Sequence, residues 1–178
     1  DGIAKPLVSS VSTVTSDILP TLCKLAGTRF PDVPLDGIDL MPLLQGNMKQ
    51  RRKPIAFWNF PTLTNQDSKP YIDPELQRGT TPLVKKSRGL FTRNFRNDHH
   101  PEITEDDFNG ARAIISGDYK LVIDGDKNTG VELFNLRNDS AESNNLAGSQ
   151  SVMVEKLKKE MRDWQASVLN SLMEADYK

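Results

Sequence analysis

The stretch from residue 111 to 147 most constrains the fold, because it places three short apolar segments between turn-forming residues. The segments 111–115 and 119–123 are rich in β-branched residues, and the three residues between them favour a tight turn, which predicts an antiparallel hairpin. A polar loop over 124–130 then leads into a third alternating segment at 131–135. The sequence therefore predicts a three-stranded meander.

The polar loop after the second strand carries oxygen-bearing side chains at alternate positions, Asp124, Asp126 and Asn128. This spacing is typical of calcium loops, because a hard cation is bound by oxygen ligands. Such a loop requires glycine at its sixth position and a glutamate at its twelfth, where this chain has Thr129 and Asn135. The sequence therefore favours a polar hairpin loop over a metal site.

Two further elements complete the predicted core. The segment 54–60 (PIAFWNF) predicts a fourth strand, and the segment 149–172 predicts a long amphipathic helix. The apolar stripe of that helix is formed by Val154, Leu157, Met161, Trp164, Val168 and Leu172. Because Trp164 lies in the middle of the stripe, we expect it to be a core anchor rather than a stacking platform. The predicted fold class is α+β: a four-stranded antiparallel sheet packed against a long C-terminal helix, with an N-terminal helical extension.

The N-terminal third predicts a helix over 12–27 that ends at Gly27, followed by a short helical turn over 40–45. Its apolar residues Ile18, Leu22, Leu25 and Ala26 fall on one helical face. For the aspartates of this region, Asp17, Asp36 and Asp39, we expect capping and turn roles rather than catalysis. The basic cluster at 49–53 is expected to be a solvated loop.

Composition excludes some classes of function. The chain has 178 residues and a formal net charge of −1, without a basic run that would match a phosphate backbone, so nucleic acid is not an expected partner. No apolar stretch reaches the roughly 18 residues that a membrane helix requires. The single cysteine, Cys23, is expected to be a buried helical thiol. The chain starts at Asp1 without a signal-peptide pattern, and we expect it to be a fragment rather than a mature protein.

The segment 61–110 is a long irregular loop, and such loops are commonly functional. It combines both histidines of the chain with arginines and aromatic rings. Arginine forks bind sulfate oxygens, so we predict contact with an anionic sugar, the candidate substrate-binding residues being Arg93, Arg96, His99 and His100. The alternative is a surface loop whose charges face water. A metal site at the histidine pair is disfavoured, because adjacent histidines diverge in extended chain and Pro101 restricts His100.

Five phrases of the sequence carry a resemblance to a known family. They are 17–27 (DILPTLCKLAG), 34–46 (PLDGIDLMPLLQG), 117–121 (GDYKL), 132–146 (ELFNLRNDSAESNNL) and the final helix with its tail. In this order they resemble the C-terminal subdomain of a sulfatase, of the arylsulfatase-like, formylglycine-dependent type in the alkaline-phosphatase superfamily, as found in bacteria. The resemblance implies a parent enzyme that hydrolyses sulfate esters, of sulfated carbohydrate or of aryl sulfates, at a calcium-bound formylglycine.

In that family the catalytic and calcium-binding residues come from a large N-terminal domain. The formylglycine motif, Cys/Ser-x-Pro/Ala-x-Arg, is absent, because Cys23 is followed by Lys24, Leu25, Ala26 and Gly27. The resemblance therefore implies no catalytic residue, metal site or cofactor in this chain, and the calcium belongs to the parent enzyme. Residues 1–50 would pack on the missing catalytic domain, and residues 51–178 would form the subdomain that shapes the substrate cleft, inactive by itself. The residues themselves assign no localisation, and the resemblance implies a periplasmic or secreted parent enzyme.

Two other classes of function stay open at this point. A free-standing glycan-binding or interaction module would explain a near-neutral α+β domain with a cationic, aromatic loop. A phosphoester or phosphonate hydrolase of the same superfamily would share the C-terminal architecture and differ in its nucleophile and metal ligands.

Overall fold

The computed structural model describes residues 6, 8–60, 86–87, 90–91, 102–125, 130–173 and 175–176. Within them, single 3₁₀ turns are formed by Thr15–Asp17 and Glu105–Phe108. The α-helices are α1 (Ile18–Leu25), α2 (Met41–Leu44) and α3 (Ser151–Leu172). The strands are β1 (Ile55–Trp58), β2 (Lys86–Ser87), β3 (Leu90–Phe91), β4 (Arg112–Ser116), β5 (Tyr119–Ile123) and β6 (Val131–Asn135).

The main sheet has four antiparallel strands in the order β1-β4-β5-β6, and the short strands β2 and β3 pair separately. Its central row aligns Ile114 with Leu121 and Leu121 with Leu133. Gly117 makes the tight β4–β5 turn with a φ of 61°, a left-handed conformation that glycine adopts at low cost. The predicted meander and fourth strand are thus confirmed.

One face of the sheet packs against α3 and forms the core. Ile114, Leu121 and Leu133 meet Leu157 and Met161 of the helix, and all five side chains are at most 1% exposed. Burying a side chain of this size stabilises a fold by about 1.5–3 kcal/mol. The predicted α+β class, with a sheet packed on a long C-terminal helix and a short helix near the N-terminus, is confirmed.

The apolar stripe of α3 follows a different path from the predicted one in the second half of the helix. Beyond Met161 the buried positions are Gln165 and Leu169, while Trp164 is only partly buried and Leu172 is 40% exposed. The buried positions 157, 161, 165 and 169 follow each other in steps of four. Each such step turns about 40° around the helix axis, because the helix has 3.6 residues per turn, so the buried line drifts away from Trp164 towards the C-terminal end. Trp164 is therefore a partly exposed side chain at the border of the core, and its predicted role as core anchor is wrong.

The turn after β6, which carries part of the family resemblance, is held by its own hydrogen bonds. Asp139 accepts bonds from the backbone N–H of Asn144 at 2.8 Å and of Ser143 at 3.1 Å, and these lower the pKa of its carboxyl. Asn145 and Leu146 then cover the outer edge of β6. The Leu133 N–H donates to Asn145 Oδ1 at 3.1 Å, and the Leu133 carbonyl accepts from the Leu146 N–H. The hydrogen bonds of these residues stabilise the turn and the edge of the sheet.

Candidate functional site

The four residues predicted to contact substrate, Arg93, Arg96, His99 and His100, lie outside the residues that the structure describes. Their role stays a prediction. Asp126 and Asn128 of the polar loop over 124–130 also lie outside the described residues. What the structure does show is how the two ends of the 61–110 segment are fixed.

Both ends of that segment are tied to the same corner of the sheet. The Trp58 indole Nε1 donates to the Asn109 carbonyl at 2.7 Å, and the Asn59 N–H donates to the Ala111 carbonyl at 2.8 Å. These two bonds join the end of β1 to the residues just before β4. The segment therefore leaves and re-enters the sheet at the same corner.

The returning end is pinned to α3. Asp107 accepts bonds from the Thr104 N–H at 2.6 Å and from its hydroxyl at 3.1 Å, which closes the 3₁₀ turn Glu105–Phe108. Arg162 lies over the Phe108 ring, 3.1 Å from its centroid, and its Nη2 lies 2.6 Å from a carboxylate oxygen of Glu105. Gln165, buried on α3, donates to the Phe108 carbonyl at 3.2 Å.

The departing end runs beside an aromatic group. Trp58 makes edge contacts with Phe60, at 4.9 Å between centroids, and with Trp164, at 6.2 Å. The Trp164 indole Nε1 donates to Asp36 Oδ1 at 2.8 Å, which links α3 to the N-terminal extension. The Trp164 ring thus contacts Trp58, while its indole N–H bonds Asp36. This combination of contacts is expected for a tryptophan at the edge of a core.

A buried ion pair joins the N-terminal extension to the start of β1. Arg51 Nη1 lies 2.7 Å from Asp17 Oδ2, and Nη2 lies 2.9 Å from Oδ1. Asp17 is fully buried and Arg51 is 8% exposed. The sequence interpretation of 49–53 as a solvated loop is therefore wrong for Arg51. No local signal could reveal this pairing, because its partner lies 34 residues away.

Asp17 combines its predicted capping role with this ion pair. Its Oδ2 accepts from the Val14 N–H and its Oδ1 from the Ile38 N–H, each at 2.9 Å. Burial alone would raise the pKa of this carboxyl, but the hydrogen bonds from Arg51, Val14 and Ile38 outweigh burial and hold the pKa below its usual value. Asp17 is therefore an ionised structural group and not a proton donor near neutral pH.

The outer face of α1 presents apolar side chains to solvent. Ile18, Leu19, Leu22 and Leu25 are 55%, 49%, 55% and 59% exposed, while the buried residues of this helix are Pro20 and Thr21. Exposed apolar surface that is contiguous along a helix is a mark of an interaction site. The helix was predicted to be amphipathic, and the structure shows that its apolar side faces away from the described core.

Metal centres and membrane-spanning helices are two further kinds of site to consider in the described residues. No group of three or more His, Cys, Asp or Glu side chains among them is arranged to hold a metal ion. In the same part of the chain, no helix has the length and hydrophobicity needed to cross a bilayer. Cys23, expected to be buried, is a free thiol and only partly buried.

The chain was compared with known proteins. No protein-family profile matches it. It is 43% identical to arylsulfatase A of Bos taurus over 58 residues, which are 33% of this chain and 10% of that protein. It is 28% identical to the ulvan-active sulfatase of Formosa agariphila over 152 residues, 84% of this chain and 28% of the relative. The chain thus spans a small part of the curated relatives that it matches.

A solved structure has a similar fold. The crystal structure of Ps i-CgsB in complex with k-i-k-neocarrahexaose matches with a TM-score of 0.50 and 17% identity. The match covers 85% of this chain and 24% of that one. The chain therefore has homologues among sulfatases, over a partial region of those enzymes. This agrees with the sulfatase C-terminal subdomain that the sequence resembles.

Proposed function

We propose that this sulfatase-related chain acts as a C-terminal subdomain, which packs on a catalytic domain and closes one side of its substrate cleft. The observation that carries the proposal is the alignment with the ulvan-active sulfatase, which takes in 84% of this chain and only 28% of the relative. The homologues are much longer than this chain. The part of each homologue that this chain does not match is therefore large enough to supply the catalytic residues.

The exposed face of α1 supports docking as the mode of action. Four large aliphatic side chains are about half exposed along eight residues, which is a costly arrangement for a surface that meets only water. The helix is itself held firmly, because Thr21 Oγ1 accepts from the Leu40 N–H at 3.0 Å and Asp17 is locked by Arg51. In the proposed assembly this rigid apolar face lies against the catalytic domain.

The tethered 61–110 segment supports a role at the substrate cleft. Its ends are fixed by Trp58, Asn59 and the 3₁₀ turn before Asn109, so the segment leaves and re-enters the described fold at one corner of the sheet. Arg93, Arg96, His99 and His100 remain the residues proposed to contact the anionic part of the substrate. Arginine suits that task, since its planar fork donates two parallel hydrogen bonds to an oxyanion.

The proposed reaction of the whole enzyme is hydrolysis of a sulfate ester, with sulfated carbohydrate as the favoured substrate class. The name of the ulvan-active sulfatase supports a carbohydrate substrate, and the arylsulfatase A match supports the ester class. Calcium and the formylglycine nucleophile are proposed to belong to the catalytic domain, as the resemblance implies. No residue of this chain is assigned a part in bond cleavage.

A sulfate-release assay tests the proposal. The purified 178-residue chain is incubated with p-nitrophenyl sulfate and calcium, and p-nitrophenol is followed by its absorbance. We expect no turnover above the buffer blank, because the chain lacks the formylglycine motif. Metal-dependent turnover that purifies with the chain, and that a chelator abolishes, would overturn the proposal. A catalytically competent sulfatase preparation serves as the positive control for substrate and detection.

A further inference from the structure

A second candidate site is a cleft of about 350 Å³ between the N-terminal segment, the basic stretch 49–53 and the β4–β5 turn. The stretch and the turn are in close contact, since a Cβ added at Gly117 would lie 3.1 Å from the Gln50 side-chain amide. The charged and hydroxyl-bearing side chains on which the argument rests are Ser10, Ser12, Lys49, Lys53, Asp118 and Arg137.

Positive charge predominates in this cleft, although the chain as a whole carries a net charge of −1. Arg51 also borders the cleft, but its charge is balanced by Asp17. Lys53 Nζ donates to the Leu35 carbonyl, which orients the ammonium group without neutralising it. Arg137 lies 3.5 Å from Asp118, and both side chains are at least half exposed, so that pair is weak. Lys49 and Lys53 therefore leave the cleft with excess positive charge.

The rest of the lining is suited to a ligand larger than a bare ion. Val11, Ile115 and Leu136 form the apolar part of the lining, which we call the apolar wall. The hydroxyls of Ser10 and Ser12 add hydrogen-bond donors. A volume of about 350 Å³ is at the lower end of the range for small-molecule sites. Ammonium groups, hydroxyls and one apolar wall together suit a sugar ring that bears an oxyanion.

We propose that this cleft binds a monoester oxyanion, sulfate or phosphate, carried on a group the size of a monosaccharide. The lysines act as point charges for the oxyanion, the serine hydroxyls complete its hydrogen bonds, and the apolar wall contacts the ring. The residues differ from Arg93, Arg96, His99 and His100. The inference goes beyond the proposed function and does not depend on it, because a basic cleft binds such a group whether or not the parent enzyme cleaves it.

Titration of the chain, followed by backbone amide NMR, tests this inference. The probes are glucose 6-sulfate, glucose 6-phosphate, inorganic sulfate and unmodified glucose. We expect saturable chemical-shift changes of the Val11, Ser12 and Gly117 amides with at least one of the two esters. That ester should bind more tightly than inorganic sulfate, and glucose should cause no such changes. The comparison of the two esters decides between the two oxyanions.

Matched variants locate the binding site. We expect Lys49→Gln to weaken ester binding about tenfold, as for a lost charge-assisted hydrogen bond, and Lys24→Gln, an exposed lysine outside the cleft, to leave it unchanged. The inference is overturned by the absence of saturable shifts at these amides. It is also overturned if inorganic sulfate binds as tightly as the esters, or if Lys49→Gln and Lys24→Gln weaken ester binding to the same extent. A third contradicting result is that Arg96→Gln abolishes ester binding while Lys49→Gln leaves it unchanged. The fold of each variant is checked by its NMR spectrum.

Discussion

Arg51 donates two hydrogen bonds to the carboxylate of Asp17, from Nη1 to Oδ2 at 2.7 Å and from Nη2 to Oδ1 at 2.9 Å. The pair joins the turn before α1 to the residues just before β1. Arg51 also donates from Nε to the Lys53 carbonyl at 2.7 Å, so the guanidinium is bonded on two sides. This contact orients the N-terminal extension, and with it the exposed apolar face of α1.

Replacing Asp17 by Asn is expected to lower the free energy of unfolding by about 3–5 kcal/mol, because the buried Arg51 charge loses its counter-ion. Urea denaturation measures the change. The matched control is Arg52→Gln, an exposed neighbour of Arg51, which we expect to stay within about 0.5 kcal/mol of the wild type. An Asp17→Asn variant as stable as this control would contradict the structural role of the ion pair.

The same aspartate predicts a dependence of stability on pH. Its pKa is lowered in the folded state, so its stabilising effect is complete above the unfolded pKa of about 3.9 and is lost as pH falls through the folded pKa. The difference in unfolding free energy between wild type and Asp17→Asn should therefore be constant near neutral pH and shrink below about pH 4. Urea midpoints measured across the acid range check this. A difference that grows as the pH falls would show the opposite sign.

The core contact between α3 and the sheet is tested at Leu157, which is fully buried. Leu157→Ala should lower the free energy of unfolding by about 2–5 kcal/mol, because it removes buried methyl groups and leaves a cavity. Val152→Ala, five residues earlier on the same helix and 84% exposed in the wild type, should change it by less than about 0.5 kcal/mol. Similar losses in both variants, measured by urea denaturation, would argue against the observed placement of the helix.

Among Gly27, Gly37 and Gly46 of the extension, only Gly37 has backbone atoms close to the position of an added Cβ. A Cβ at this position would lie 1.9 Å from the Ser16 carbonyl oxygen and 2.8 Å from the Asp17 nitrogen, and backbone atoms cannot yield as a side chain can. We expect Gly37→Ala to destabilise the chain by about 1–3 kcal/mol and to expose the Ile38 amide, which bonds Asp17, to hydrogen exchange. Gly148→Ala is the control, since its Cβ would meet nothing within 4 Å. Unchanged protection of Ile38 would refute this packing.

Much of the fold follows from local pattern. The segments 119–123 and 131–135 are strands at the predicted residues, because alternation and turn chemistry act over a few positions. The path of α3 was harder to predict, since steps of three and four are both compatible with an amphipathic helix until the sheet selects one. In the structure the buried positions are Gln165 and Leu169, and Trp164 is only partly buried.

The candidate site was less predictable, because its parts are distant in sequence. The pairing of Arg51 with Asp17 and the cleft between Ser12, Lys49 and Arg137 exist only once the extension lies against the sheet. Composition shows that 49–53 is basic but cannot show which of its charges is buried. For the same reason the exposed face of α1 could be predicted as amphipathic but not as facing outward.

Docking of this chain on a catalytic domain is the central claim. Its most direct test is to express the 178-residue chain together with the polypeptide encoded upstream of it, as two separate proteins, and to measure co-purification and sulfate release. We predict that the two proteins co-purify and release sulfate only together. Leu22→Glu on the exposed α1 face should abolish both results, while Lys24→Glu on the same helix should not. An upstream protein that is fully active without this chain, or co-purification unaffected by Leu22→Glu, would contradict the account.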